Sequence, residues 1–489
     1  MHRGMKKAVC LVAGVLVVVC SLAAHEFGIR TEQTWTALVP LAAQVWDLPV
    51  STTRYRRGWF SSTAETFLEL PPAVAVVLRA YVPHTPTPSA TPEGLTIMHR
   101  ILHGPFPVGL RPGGIISVVP MQTLVISSLA PGARSSSREV VAPAPLATLE
   151  VSTTVFLHGA SQSHFVMPAF ASPPSAQTET HLVSEGLSGD VTVGANGHHV
   201  TGSLRAPGLQ VAREDGVLAL HDVTARTDVS TGHRQPSRSD TVVRIGSVAV
   251  TYRPDAQATW AITGGEVRAT ATAGEMLQAA ADVQLETFHL ADLPHGPGTL
   301  HLDVRRLRLT ALARLLQEVG AQWQEAQNIA TLWRHLRLSG DLARLLSGIA
   351  RTSPEIALTQ MHLHTPDGEV RASVQVRLDG SRLPAPGYLP QLVQTIDAQV
   401  EGEAPASWVR AMVIDQVSKV MRARSTLAAL LPPHVLHSLA ATICDRQLHS
   451  LVEQEYLLLD GDTYKSKAHY AYGQLLVNGK PLALPALVQ

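Results

Sequence analysis

The sequence predicts an α+β protein that is mainly antiparallel β: an N-terminal transmembrane helix, then a large curved antiparallel sheet structure with two helical blocks packed on it. Three observations carry this expectation. Residues 8–24 form an uncharged apolar run, period-two alternation recurs through the body of the chain, and two later stretches switch to a helical period.

The run 8–24 (AVCLVAGVLVVVCSLAA) reaches roughly 25 Å as a helix, against a hydrocarbon core of about 30 Å, with Phe27 and Ile29 available to extend it. Its valines and leucines together favour insertion by about 3 to 5 kcal/mol. Arg3, Lys6 and Lys7 precede the run, while His25, Glu26, Arg30 and Glu32 follow it. That asymmetry leaves a cytoplasmic stub at 1–7 and places the rest on the far side of the membrane, the periplasm of a bacterial inner membrane if the source is Gram-negative. A cleaved secretory signal is the competing reading of 8–27, because Ser21-Leu22-Ala23 suit signal peptidase. A lipoprotein signal fits poorly, since Val19 rather than a small residue precedes Cys20.

The 489 residues are 45% hydrophobic and 16% charged, which is ample for a packed interior and excludes disorder of the whole chain. Lys+Arg and Asp+Glu are equal at 39 each, so no net field draws the chain to nucleic acid. Cys10 and Cys20 lie in the apolar run and Cys444 stands alone, leaving no intrachain disulfide for the exported part. Twenty-two histidines make its charge acid-sensitive.

Along the chain, 34–46 reads as a short helix broken at Pro40, with Trp35 and Trp46 either at a membrane interface or packed on the first strands. In 51–70 (STTRYRRGWFSSTAETFLEL), β-branched and aromatic residues on both sides of Gly58 predict a strand, a turn or bulge, and a second strand. The Pro- and Ser-rich stretches 83–92 and 130–145 read as loops. Alternation marks strands near 146–150, 191–193, 217–221, 242–250 and 370–378, joined by Gly-Asp, Asp-Gly and Asn-Gly turns. Helical stripes such as Leu312, Leu315, Leu316 and Val319 predict short helices over 310–350, with Asp341 as an N-cap and Arg305, Arg306 and Arg308 on a strand face just before them. A second helical block runs over about 405–455, broken at Pro432-Pro433. The predicted segments after the anchor are 28–129, a β region; 130–300, a β meander; 301–350, helical; and 351–489, a β/helical region ending in an Asn478-Gly479 hairpin.

Three motifs stand out. Tyr55-Arg56-Arg57-Gly58-Trp59-Phe60-Ser61-Ser62-Thr63-Ala64 follows the N-terminal run; Ile101-Leu102-His103-Gly104-Pro105-Phe106-Pro107 comes next. Tyr464 to Tyr472 and then Gly473-Gln474-Leu475-Leu476-Val477-Asn478-Gly479-Lys480-Pro481 close the chain. In this order they resemble the YdgA-like family of bacterial envelope proteins, which carry a domain of unknown function. The stretch 130–239 shows no signature of that family. The resemblance implies location and architecture, and it assigns no catalytic residue.

No Gly-rich phosphate loop, HExxH or CxxC occurs, and the carboxylates nominate no acid/base pair. Ser61 and Ser62 are the only candidate nucleophiles, without a G-x-S-x-G elbow and without a base nearby in sequence. His103-Gly104-Pro105 reads as a strand end and turn. His362-x-His364 shares a strand face and His198-His199 sits at a turn, each lacking a third ligand. No catalytic, cofactor or metal residue is therefore assigned, and the motif residues Tyr55, Gly58, Trp59, Ser61, Ser62, Ala64, His103, Gly104, Pro105, Tyr464, Gly473, Asn478, Gly479 and Pro481 are expected to be structural. The expectation is a non-enzymatic, membrane-anchored periplasmic protein, held in the membrane through 8–24, that handles lipid or another apolar ligand in a sheet-and-helix trough, an idea resting on fold-level analogy. The alternatives are an envelope scaffold that binds other envelope proteins and, last, a serine hydrolase.

Overall fold

A computed structural model describes residues 20–36, 50–69, 94–104, 121–129, 148–171, 181–213, 216–232, 236–252, 259–290, 293–308, 348–382, 393–424 and 432–482. The chain divides into two compact units, Met1–Gln235 with Val243–Ala256, and Pro236–Val242 with Gln257–Gln489.

The first unit opens with α1 (20–36) and continues as an antiparallel meander. Its strands β1 (Val50–Arg57), β2 (Ser61–Glu69), β3 (Gly94–His103), β4 (Thr123–Leu129), β5 (Glu150–Val155) and β6 (Ser161–Met167) pair in succession. After the short β7 (Phe170–Ala171) and β8 (His181–Ser184), β9 (Leu187–Val193) pairs back to β6. The long β10 (His199–Arg213) takes β9 along one half of an edge and β8 along the other, while β11 (Gly216–Ser230) covers its second edge. The next strand, β12 (Ser237–Tyr252), contributes residues to both units.

In the second unit β13 (Thr259–Ala273) pairs with β14 (Met276–Leu285) and, further along the same strand, with β15 (Thr287–Leu290), which in turn holds β16 (Leu293–His295). From β14 the ladder runs through β17 (Gly298–Arg308), β18 (Glu355–Thr365), β19 (Gly368–Leu378) and β20 (Ile396–Pro405). Two helices follow, α2 (Ala406–Arg424) and α3 (Pro433–Glu453). The chain returns through β21 (Leu458–Asp460) to β22 (Thr463–Ala471), which pairs with β20, and ends in β23 (Gln474–Val477) and β24 (Lys480–Leu482). Ile414, Ala440, Cys444 and Leu448 form the buried seam between the helices, and Val413, Val417 and Tyr464 pack against it. The proline pair that breaks this block sits at the start of α3, where a missing N–H and a fixed φ suit the first turn.

The transmembrane helix is overturned: among the described residues no helix is long and apolar enough to cross a membrane. Residues 8–19 of the expected span lie outside the described residues, and from residue 20 the run continues into α1, which packs against the sheet. The physical reason is spacing. Ala24, Gly28, Thr31 and Trp35 recur at helical intervals on one face, and Ala24 and Thr31 are buried. Glu26 pairs with Arg30, and Glu32 with Arg57, at the surface. A window that averages hydropathy misses such a docking face.

Residues 301–308 belong to β17, which carries Arg305, Arg306 and Arg308 on a strand with a bulge at Arg306 (φ 58°). Helical residues occur at 348–350, and 309–347, with Asp341, lie outside the described residues. Of the broken helix expected at 34–46, residues 34–36 end α1; the remainder, and the loops at 83–92 and 130–145, also lie outside them.

The final hairpin turns where the dipeptide predicts, with φ of 48° at Asn478 and 81° at Gly479. Asn478 also ties the turn down. Its Oδ1 accepts from the Lys467 amide at 2.8 Å and its Nδ2 donates to the Glu455 carbonyl at 3.0 Å. Asn478→Ala loses both bonds and replaces a residue that tolerates positive φ with one that does so less readily, so it should destabilise the β23–β24 hairpin by about 1 to 2 kcal/mol. Amide hydrogen exchange across β22–β24 checks this.

Candidate functional site

The described residues with the densest buried polar chemistry lie under α1, on the face that β2, β3 and β4 turn toward it. Register decides which side chains meet there. Ser62 stands opposite Ile101, Ala64 opposite His99, Ile101 opposite Val125, and His103 opposite Thr123. Alternation then places Ser62, Ala64 and Thr66, His99, Ile101 and His103, and Thr123, Val125 and Ser127 on one face. Ala64, Ile101 and Val125 form its apolar floor, with Trp35 and Tyr55 packed against them.

On that floor lie two imidazole–hydroxyl clusters. Ser62 Oγ is 2.8 Å from His103 Nε2, with the residues 2% and 3% exposed. His99 is held at both nitrogens, Nδ1 to Ser127 Oγ at 2.8 Å and Nε2 to Thr66 Oγ1 at 3.0 Å. One of its nitrogens donates and the other accepts, as a neutral ring requires. α1 closes the top: Thr31 Oγ1 bonds Thr123 Oγ1 at 2.8 Å, and the Trp35 ring meets His99 edge-on at 4.6 Å. A β-carbon built on Gly28 would come within 3.2 Å of the His103 ring.

Burial pushes the His99 imidazole down to about 4 and lowers His103 as well. Burial also raises the Tyr55 phenol, with Ser62 acting against it, Glu32 adding to the rise and Arg57 opposing it. His103 Nδ1 is buried and has no hydrogen-bond partner among the described residues.

Two of the three sequence motifs therefore meet in space, and the base that Ser62 lacks in sequence is His103, 41 residues away. General-base activation needs an acceptor on the far ring nitrogen to orient it, plus room for an acyl carbon at the hydroxyl. Here the far nitrogen has no partner among the described residues, and α1 lies on the ring. Ser61, the other candidate, is exposed on the opposite face. Gly58 makes the β1–β2 turn, Trp59 projects from it, and Gly104 ends β3; Pro105 lies outside the described residues.

The closing motif is elsewhere, in the second unit. Tyr464 packs against the helical seam, Gly473 turns β22 into β23 at φ 80°, and the Pro481 carbonyl accepts from the Tyr456 hydroxyl at 3.1 Å. Asn478 reaches the rim of a groove of about 530 Å³ across β18, β19, β20 and β22. Register brings Arg371, Glu403 and Lys465 into one row and Ser373, Glu401 and Lys467 into the next. Arg371 bonds Glu403 at 3.1 Å, Lys465 bonds Asp460 at 2.7 Å, and Lys467 pairs with Glu401. His362 lines the same groove, 3.3 Å from Glu369. His199 lies 3.5 Å from Asp228 in the other unit. Among the described residues no group of three His, Cys, Asp or Glu side chains could hold a metal ion.

A family model described as "Bacterial protein of unknown function (DUF945)" matches residues 5–485. Neither a comparison with curated proteins nor one with solved structures returns a match.

Proposed function

The chain belongs to the DUF945 family of bacterial proteins of unknown function, and we propose that it acts outside the cytoplasm, by binding another envelope protein rather than by catalysis. The groove on β18–β20 and β22 carries this reading. Its first row alternates in charge, Arg371–Glu403–Lys465, and its second sets Glu401 against Lys467 beside Ser373, while Met361 and Leu458 add apolar contact. An extended segment of mixed charge can exchange its own pairs for these, and such complementarity serves specificity more than affinity. The volume suits a few residues of a partner, not a domain.

Charged walls suit a polar segment better than a lipid, so lipid handling gives way to the scaffold reading. The sealed Ser62–His103 pair supports a non-catalytic role. Export is supported by the basic residues 3–7 followed by the apolar run. The order of the three motifs supports the YdgA-like naming within the family.

A photo-crosslinking residue placed at Ser373 or Gln360 tests the reading in intact cells. Defined protein adducts should form in the periplasmic fraction and fall several-fold in a Lys465→Glu/Lys467→Glu background. Adducts with lipid alone, or adducts indifferent to the charge reversal, would remove it. Recovery of the protein from the cytosolic fraction would remove the location.

A further inference from the structure

We infer that the β1–β2 tip and the first turns of α1 rest on a phospholipid bilayer surface. Trp59 and Phe60 project from a turn closed by the Gly58 amide donating to the Ser61 carbonyl at 2.9 Å, and they are 52% and 57% exposed. The turn is tight, since a β-carbon on Gly58 would fall 2.4 Å from the Ser61 carbonyl oxygen. Both aromatics are thus held outward by backbone geometry. His25 of α1 stacks on Trp59 with ring centroids 4.5 Å apart, which brings the start of α1 to the same tip. Leu22, one turn earlier, is 60% exposed.

What covers this patch follows from the chain that leads into it. Residues 8–19, immediately before α1, contain no charged side chain, and Arg3, Lys6 and Lys7 precede them. Arg56 adds an exposed cation on β1, three residues before Trp59 in sequence. Aromatic side chains beside cations, continuous with an uncharged stretch, match the boundary between anionic headgroups and acyl chains. A protein partner would explain the aromatics but not their continuity with that stretch. The contact is peripheral. α1 turns its small-residue face to the sheet, and Glu26, Arg30 and Glu32 occupy its solvent side. The surface is independent of the groove in the second unit, so either proposal can fail alone.

The test uses the full chain with vesicles of phosphatidylethanolamine and phosphatidylglycerol, with and without brominated acyl chains. Brominated lipid should quench a component of the tryptophan fluorescence that Trp59→Phe removes. Trp59→Ser/Phe60→Ser should weaken vesicle partitioning about tenfold while groove crosslinks persist. Identical quenching in wild type and Trp59→Phe would overturn the inference, even if vesicles bind through residues before α1. So would unchanged partitioning of the double variant, or a protein adduct from a crosslinker at Phe60 in the absence of lipid quenching.

Discussion

Replacing Gly104 with alanine should raise amide exchange in β3 and β4 by about two orders of magnitude, equivalent to about 3 kcal/mol. A β-carbon there would fall 1.8 Å from the Met121 carbonyl oxygen and 2.9 Å from that of Gln122. Both obstacles are backbone, so no rotamer change relieves them. The Gly104 amide donates to the Gln122 carbonyl at 2.7 Å, and Met121, Leu124 and Leu102 form a buried cluster immediately behind. Making room therefore breaks the bond that closes the strand end and disturbs that cluster, which together cost about 2 to 4 kcal/mol. Gly402→Ala is the contrast, because its new β-carbon meets only the Arg371 carbonyl oxygen at 3.9 Å. Exchange in β3–β4 that changes by less than a few-fold in Gly104→Ala would show that the strand end is not pinned there.

That glycine illustrates how far the sequence can be read. His103-Gly104 is legible as a strand end, but its need for glycine comes from Met121, beyond the segment 105–120, and no local pattern reports such an approach. Alternation likewise shows that Ser62, Ala64 and Thr66 share a face and that His99, Ile101 and His103 share another. It does not reveal that the faces coincide, because the register Ser61 opposite Leu102 is set across a connection of 24 residues, 70–93. Local chemistry was more dependable. Asn478-Gly479 turns the last hairpin because both residues tolerate positive φ, and Pro432-Pro433 marks the entry to α3. Around α1 two signals compete: valines and leucines before residue 20 dominate the hydropathy, whereas the Ala24, Gly28, Thr31, Trp35 spacing states the docking face in the same sequence. No local pattern shows the groove, since each of its rows joins residues from three strands.

Acid should loosen α1 from the sheet before the rest of the first unit responds. The rings beneath it are held by hydroxyls, those of Ser62, Thr66 and Ser127. The carboxylates of Glu32 and Glu65 are turned to Arg57 and Arg54 at the surface. An imidazolium formed there would be desolvated without a counter-charge. Above pH 6.5 His99 is neutral whether or not α1 is docked, and it contributes no pH dependence. As pH falls, the opened form takes up a proton and the closed form does not until about pH 4. Stability is therefore lost progressively over that window, by about 3 kcal/mol in total from His99. His103 acts with the same sign. Exposed ion pairs contribute little to this loss, whether they lie on α1, as Glu26–Arg30 and Glu32–Arg57 do, or in the other unit, as Arg410–Asp445 does. The measurement should therefore be local: exchange of the amides of α1 and β3 between pH 7 and pH 4, corrected for intrinsic rates. Glutamine at position 99 can bridge Ser127 and Thr66 without titrating, so His99→Gln should flatten most of the dependence. A His99→Gln/His103→Gln variant as acid-sensitive in α1 as the wild type would show that these rings are not what acid acts on.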